Sequence, residues 1–176
     1  VNVTRNVASR PANTLYGLRG FLSVKYCFVE KRHVSKFSMQ GFTEEPVSQQ
    51  NLMSDGTYGF NVYENENYLP MGFTYEAFMK ESEFEKIGKA DRHIYLCSYL
   101  VVPDDMAQYY STILPEATRS DVKKPEFQVY ADSVKDRLNG NVCESFEWGS
   151  YGFNATIDSD KKQIVFFSVP YDISEL

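Results

Sequence analysis

A change of hydrophobic period along the chain constrains its fold most. Glu126 to Leu138 carries apolar residues at Phe127, Tyr130, Ala131, Val134 and Leu138, one stripe of a 3.6-residue repeat, and Gly140 follows where a left-handed closing residue is wanted. On both sides of this helix the period drops to two. Ser23 to Glu30 alternates through Val24, Tyr26 and Phe28, and Thr57 to Glu64 through Tyr58, Phe60 and Val62. After the helix, Val142 to Glu147 reads as a strand, and Tyr151, Phe153, Ala155 and Ile157 alternate again. A helical segment between half-buried strands, without regular strand–helix repetition, predicts an α+β fold.

The remaining stretches fill in this frame. Leu15 to Leu22 reads as a helical turn that leads into a strand, and Met71 to Tyr75 as a short strand that Pro70 can precede. Helical spacing predicts helices over Glu76–Ile87 and Lys89–Val101, the second through Ala90, Ile94, Cys97 and Val101. Asp104 is placed to cap a short helix carrying Met106, Tyr109, Tyr110 and Ile113. Gln163 to Val169 is apolar almost throughout, which predicts a central strand buried on both faces. Ser54-Asp55-Gly56 is a turn signal. The expected architecture is one domain over 1–176, with mixed or antiparallel sheet layers and about four helices packed on them. It divides into an irregular arm (1–14), an α/β portion (15–125), and a helix with C-terminal strands (126–176).

Composition narrows the function classes. The 176 residues are 43% hydrophobic and 24% charged, enough to bury a core without staples. The net charge of −6 argues against nucleic acid and against any gain from an anionic membrane surface. The basic clusters Lys31-Arg32-His33 and Lys123-Lys124 are too short to reverse this. Cys27, Cys97 and Cys143 match no zinc or redox spacing, and the first two sit in apolar stretches as buried free thiols. No cofactor motif and no metal motif occurs, and no catalytic residue is assigned.

Three segments carry a resemblance. They are Tyr16-Gly17-Leu18-Arg19-Gly20-Phe21-Leu22-Ser23-Val24-Lys25-Tyr26, Val62-Tyr63-Glu64-Asn65-Glu66-Asn67-Tyr68-Leu69-Pro70-Met71-Gly72-Phe73, and Phe166-Phe167-Ser168-Val169-Pro170-Tyr171-Asp172. In this order they resemble segments of the YfhO-type bacterial membrane proteins. The resemblance implies the extracytoplasmic domain of a polytopic, GT-C-like glycosyltransferase, an enzyme type that moves sugars from lipid-phosphate donors to envelope polymers such as lipoteichoic acid. It implies a soluble fragment at the extracytoplasmic face of the cell membrane. The implied partners are the membrane-embedded remainder of the same protein and an envelope glycopolymer acceptor. The catalytic carboxylate is then expected on an early loop outside this chain. The family's third segment usually runs on into further β-structure, whereas this chain stops four residues later; a cut there would leave the C-terminal β-layer incomplete.

Two clusters qualify as binding sites. Glu64, Asn65, Glu66 and Asn67 offer carboxylates and amides for sugar hydroxyls or a hard cation; the same residues also suit a self-capped, solvated turn. Because burying four such groups unpaired is costly, the loop is expected to stay accessible while Leu69, Met71 and Phe73 pack inward. Trp148 and Tyr151 offer rings that could stack a sugar or cover a sheet edge. His33 and His93 lie in no nucleophile motif, and His93 is expected at the surface or boundary. A non-catalytic carbohydrate-binding or protein-interaction module is the alternative function.

Overall fold

The structure, a computed structural model, describes residues 14–53, 56, 58–121 and 126–169. The irregular arm, most of the 54–56 turn, Lys123-Lys124 and the segment after Val169 lie outside the described residues. The fold is α+β, with mixed helices and mostly antiparallel strands.

The chain begins with α1 (Tyr16–Phe21) and enters β1 (Tyr26–Glu30), a 3₁₀ turn over Lys31–Lys36, β2 (Ser48–Asn51) and β3 (Gly59–Glu64). These strands form one antiparallel sheet in the order β1-β3-β2, with Tyr26 opposite Glu64 and Ser48 opposite Val62. The parity of β1 is opposite to the expected one. Tyr26 and Phe28 are exposed, and Cys27 and Val29 turn inward against Val34, Phe37, Met39, Phe42 and Tyr63. Phe37, stacked on Tyr63 with centroids 4.2 Å apart, and Phe42 arrive from the following turn and fill that side. Only small strand residues fit beneath them, so the bulky pair is left outside.

The middle of the chain corrects the sequence reading more deeply. The expected helices over Glu76–Ile87 and Lys89–Val101 are largely replaced. Here β4 (Phe73–Tyr75) and β5 (Phe78–Lys80) precede two single-turn helices, α2 (Glu81–Phe84) and α3 (Arg92–Tyr95), and then β6 (Leu100–Val102). β5 and β6 pair in parallel, Phe78 opposite Leu100, and the Phe78 backbone also bonds Pro115 and Ala117 on its other side. Phe78 and Met79 are both fully buried. A strand covered on both faces reads as a continuous apolar run, which period alone does not separate from a helix. Asp104 does not cap its own helix; its carboxylate accepts the Ser82 N–H at 3.1 Å, at the start of α2. A 3₁₀ turn over Asp104–Met106 leads into α4 (Ala107–Tyr110).

The helix α5 (Phe127–Leu138) forms as expected and buries Tyr130, Ala131 and Val134. Leu138 is the exception: it is 41% exposed, because the helix outruns the core. Its buried face joins the cluster of Leu69, Phe73, Tyr75, Phe78, Ile94 and Cys97, and meets α1 through the Tyr16–Tyr130 and Tyr16–Phe127 rings, 5.1 and 5.0 Å apart. The chain then forms the hairpin of β7 (Ser145–Gly149) and β8 (Gly152–Thr156) and returns as β9 (Ile164–Phe166). β9 is not the expected doubly buried central strand. Among the described residues it pairs only with β4, Phe166 opposite Phe73, and it is half-buried. Its apolar run serves two different neighbours: Phe166 stacks on Phe21 of α1, and Phe167 packs on Phe153 of the hairpin.

Leu69→Ala, at a fully buried position, should lower the unfolding free energy by about 2–5 kcal/mol. Leu138→Ala at the exposed helix end should stay within about 0.5 kcal/mol. Urea titrations of the two variants check the assignment; equal shifts would place the core elsewhere.

Candidate functional site

The Glu64–Asn67 loop follows directly from β3 and is tied down by its amides. Asn65 donates its side-chain amide to the Val24 carbonyl at 2.9 Å and its backbone N–H to Lys25 O at 2.8 Å. Its side-chain oxygen accepts the Asn67 N–H at 3.1 Å, a self-capping turn. The Asn67 carbonyl in turn accepts the Tyr130 hydroxyl at 3.3 Å. Asn65 and Asn67 are therefore buried, 5% and 6% exposed, which corrects the expectation of an accessible loop. The physical reason is that the Asn65 amide and the Asn67 backbone groups find partners inside, which offsets the cost of taking them out of water. Glu66 stays exposed, and Glu64 is half-buried, 3.7 Å from the Lys25 ammonium in a solvent-screened pair. Leu69 and Phe73 pack inward as expected, and Met71 is half-buried.

Trp148 lies elsewhere. It is 62% exposed on β7 and lines an open recess of about 410 Å³ with Ser23, Tyr68, Pro70, Met71 and Phe146. The recess therefore joins the end of the Val62–Phe73 segment to the hairpin, but no residue from Glu64 to Asn67 lines it. Tyr151, at the hairpin turn, is fully exposed and does not line it either. The six candidate residues do not converge on one site.

Two further clefts escaped the sequence reading. One, of about 390 Å³, is lined by Arg137, Glu76, Asp121, Asp136, Ser133 and Asn141 among others. Arg137 lies over the Phe73 and Tyr75 rings, 5.1 and 5.7 Å from their centroids, and burial lowers its pKa. The carboxylates around it make the cleft net acidic. The other, of about 460 Å³, is lined by Cys27, Glu30, His33, Lys36 and Phe37. His33 Nε2 stands 3.9 Å from a Glu30 carboxylate oxygen, too far for a hydrogen bond. The first cleft was not legible, because its residues come from segments that only the tertiary fold brings together; the second lies mostly within one stretch, Cys27 to Met39, which folds back on itself through the turn over Lys31–Lys36. Of the three free cysteines, Cys97 and Cys143 are buried and Cys27 is half-buried, so only part of the buried-thiol expectation holds for the Cys27–Cys97 pair. Burial pushes the Cys97 thiol up to about 12, which removes it as a nucleophile at neutral pH.

His93 is buried rather than at the surface. Its Nδ1 accepts the Gly17 N–H at 3.1 Å, which requires the neutral ring, and the Tyr16 ring packs edge-on against it, centroids 4.9 Å apart. Burial lowers its pKa below 6.5, with Arg19 in the same direction and Asp91 opposing. Among the described residues no cluster of three His, Cys, Asp or Glu side chains is placed to hold a metal. No helix among them is long and apolar enough to cross a membrane. Comparison with family models, with curated proteins and with solved structures finds no match to this chain.

Two outcomes follow from this geometry. Asn65→Ala strips partners from Val24 O and from the buried Asn67 N–H and should cost about 1–3 kcal/mol, whereas Glu66→Ala should be neutral; thermal melts separate them. The lowered His93 pKa means that the unfolded chain takes up a proton before the folded one does. Its contribution to stability is complete above pH 6.5 and is lost as the pH falls through the folded value. The urea midpoint of the wild type should therefore drop more between pH 7 and pH 5 than that of His93→Gln.

Proposed function

We propose that the chain is an accessory extracytoplasmic domain of a polytopic membrane protein resembling the YfhO-type, GT-C-like glycosyltransferases, and that it does not itself transfer sugar. One observation carries this reading: the three resembling segments, distant in sequence, pack on one another. Tyr26 pairs with Glu64 across β1 and β3. Phe21 stacks on Phe166 with centroids 4.5 Å apart, and Phe73 meets the same ring at 5.2 Å. The Ser23 and Ser168 hydroxyls share a hydrogen bond of 2.6 Å. A shared structural module would bring its three stretches together in this way, and the packing supports the reading to that extent.

The domain's role in this reading is to hold or gate the membrane-embedded part, or to position an acceptor. Direct grip on an anionic envelope polymer is disfavoured by the net charge of −6. The Asn65 side chain in the loop is engaged in backbone bonds, so the loop's exposed chemistry is that of its carboxylates. A second reading, a free-standing carbohydrate-binding or protein-interaction module, is favoured by the exposed rings of the β7–β8 hairpin.

The purified chain should transfer no sugar from a polyprenyl-phosphate donor; measurable transfer would overturn the accessory role. In the intact protein, Glu64→Ala should reduce envelope glycosylation while leaving the melting temperature of the isolated chain unchanged. Loss of neither would remove the loop from the function.

A further inference from the structure

The β7–β8 hairpin has an unusual distribution of side chains. Phe146, Trp148 and Phe153 lie on one face of the ribbon, because residues two apart share a face and Trp148 pairs with Phe153 across the strands. The Phe146 and Phe153 rings stack at 4.8 Å, and Trp148 meets Phe146 edge-on at 5.3 Å. Glu147 and Asn154, opposite each other, lie on the other face. Phe167 backs the base of the aromatic face, 4.9 Å from Phe153, and among the described residues no further ring contacts the tip. Every residue of β8 is exposed; Trp148 is 62% and Tyr151 104% exposed. From Trp148 to Ile157 the sequence holds no charged residue; Glu147 sits in the middle of the ribbon on the opposite face, and Glu144, Asp158, Asp160, Lys161 and Lys162 flank its base.

We propose that this hairpin is a membrane-contact element whose tip, Trp148 to Phe153, seats in the headgroup boundary of a zwitterionic lipid surface. Trp and Tyr are the side chains that favour this boundary, since each joins an apolar ring to a polar handle. The uncharged tip crosses into it without burying an ion, while the charged residues that flank the ribbon remain in water. The acidic chain selects against anionic lipid. A sugar platform fits less well: Tyr151 has no ring contact with Trp148 among the described residues, and the polar side chains that would hold sugar hydroxyls lie on the opposite face. The inference stands on the ribbon alone and is independent of the glycosyltransferase context, which the transfer assay tests separately.

Trp148 is the single tryptophan of the chain, so its emission reports on the hairpin. Adding phosphatidylcholine vesicles to the 176-residue protein should shift the emission to the blue, and brominated phosphatidylcholine should quench it. Tyr151→Ser and Phe153→Ser should each weaken vesicle partition about tenfold, with Tyr151→Ser leaving the melting temperature unchanged. Unchanged emission at saturating vesicles overturns the proposal. So does a blue shift that grows with protein concentration in the absence of lipid, which assigns the face to a second copy of the chain. A shift produced by a neutral polysaccharide but not by vesicles assigns it to glycan, and tighter partition into phosphatidylglycerol vesicles refutes the zwitterionic preference.

Discussion

The close seating of α1 in the centre of the molecule is the contact on which the rest depends. A Cβ at Gly17 would lie 2.4 Å from the His93 carbonyl oxygen, and one at Gly20 would lie 2.1 Å from the Tyr130 hydroxyl. Only glycine lets the helix backbone approach this near. The approach then sets the chemistry around it. Gly17 donates its N–H to His93, and its carbonyl accepts the Cys97 thiol at 3.1 Å. With Gly20 bare, the Tyr130 hydroxyl can reach past it to the Asn67 carbonyl. One six-residue helix thus joins α3, α5 and the turn after β3. A side chain at either glycine would push α1 away from elements that are nearly eighty and more than a hundred residues along the chain.

The interior that this seating creates is aromatic and partly cationic. Phe21, Phe73, Tyr75 and Phe166 form a connected set of rings, and Arg137 lies over two of them. Its Nη1 is buried with no hydrogen-bond acceptor, a position that the faces of Phe73 and Tyr75 make tolerable. Arg19 is handled differently: it sits over the Phe42 ring at 5.7 Å and donates to the Gln40 carbonyl. Both guanidiniums replace hydration by rings and carbonyls, and burial lowers the pKa of each. Short strands and single-turn helices suffice for the fold because rings and aliphatic side chains from many segments pack into one cluster.

The same economy explains the outside. In the β1-β3-β2 sheet, Phe37 and Phe42 enter from the chain after β1 and cover one face, and β4 of the β4–β9 pair is buried along its whole length. The β7–β8 ribbon alone extends away from such cover beyond its base, which is why its aromatic face remains open. The polar loop after β3 goes the other way. The Glu66 carboxylate remains toward solvent, and the Asn65 amide is drawn inside because the Val24 carbonyl and the Asn67 N–H await it.

How much of this was legible depends on whether a residue's environment is local. Helix α5 was, because a 3.6-residue stripe and a closing glycine act within one turn of themselves. The α+β class, the inward Leu69 and Phe73, and the turn-forming character of the asparagines followed from the same local logic. The parity of β1 was not, since Tyr26 and Phe28 are outward only because Phe37 and Phe42 occupy the inner side. Nor were β5 and β6, whose apolar spacing fits helix and buried strand equally until the Pro115–Ala117 segment is seen to pair alongside. His93 and Arg137 look like surface residues in sequence; a bare glycine backbone and a pair of rings from far along the chain bring them inside. The sequence by itself determined the class, the one long helix and the composition of the core. The tertiary structure decided which face of each strand is inner, which amides are buried and where the clefts lie, because those depend on neighbours whose identity no local window contains.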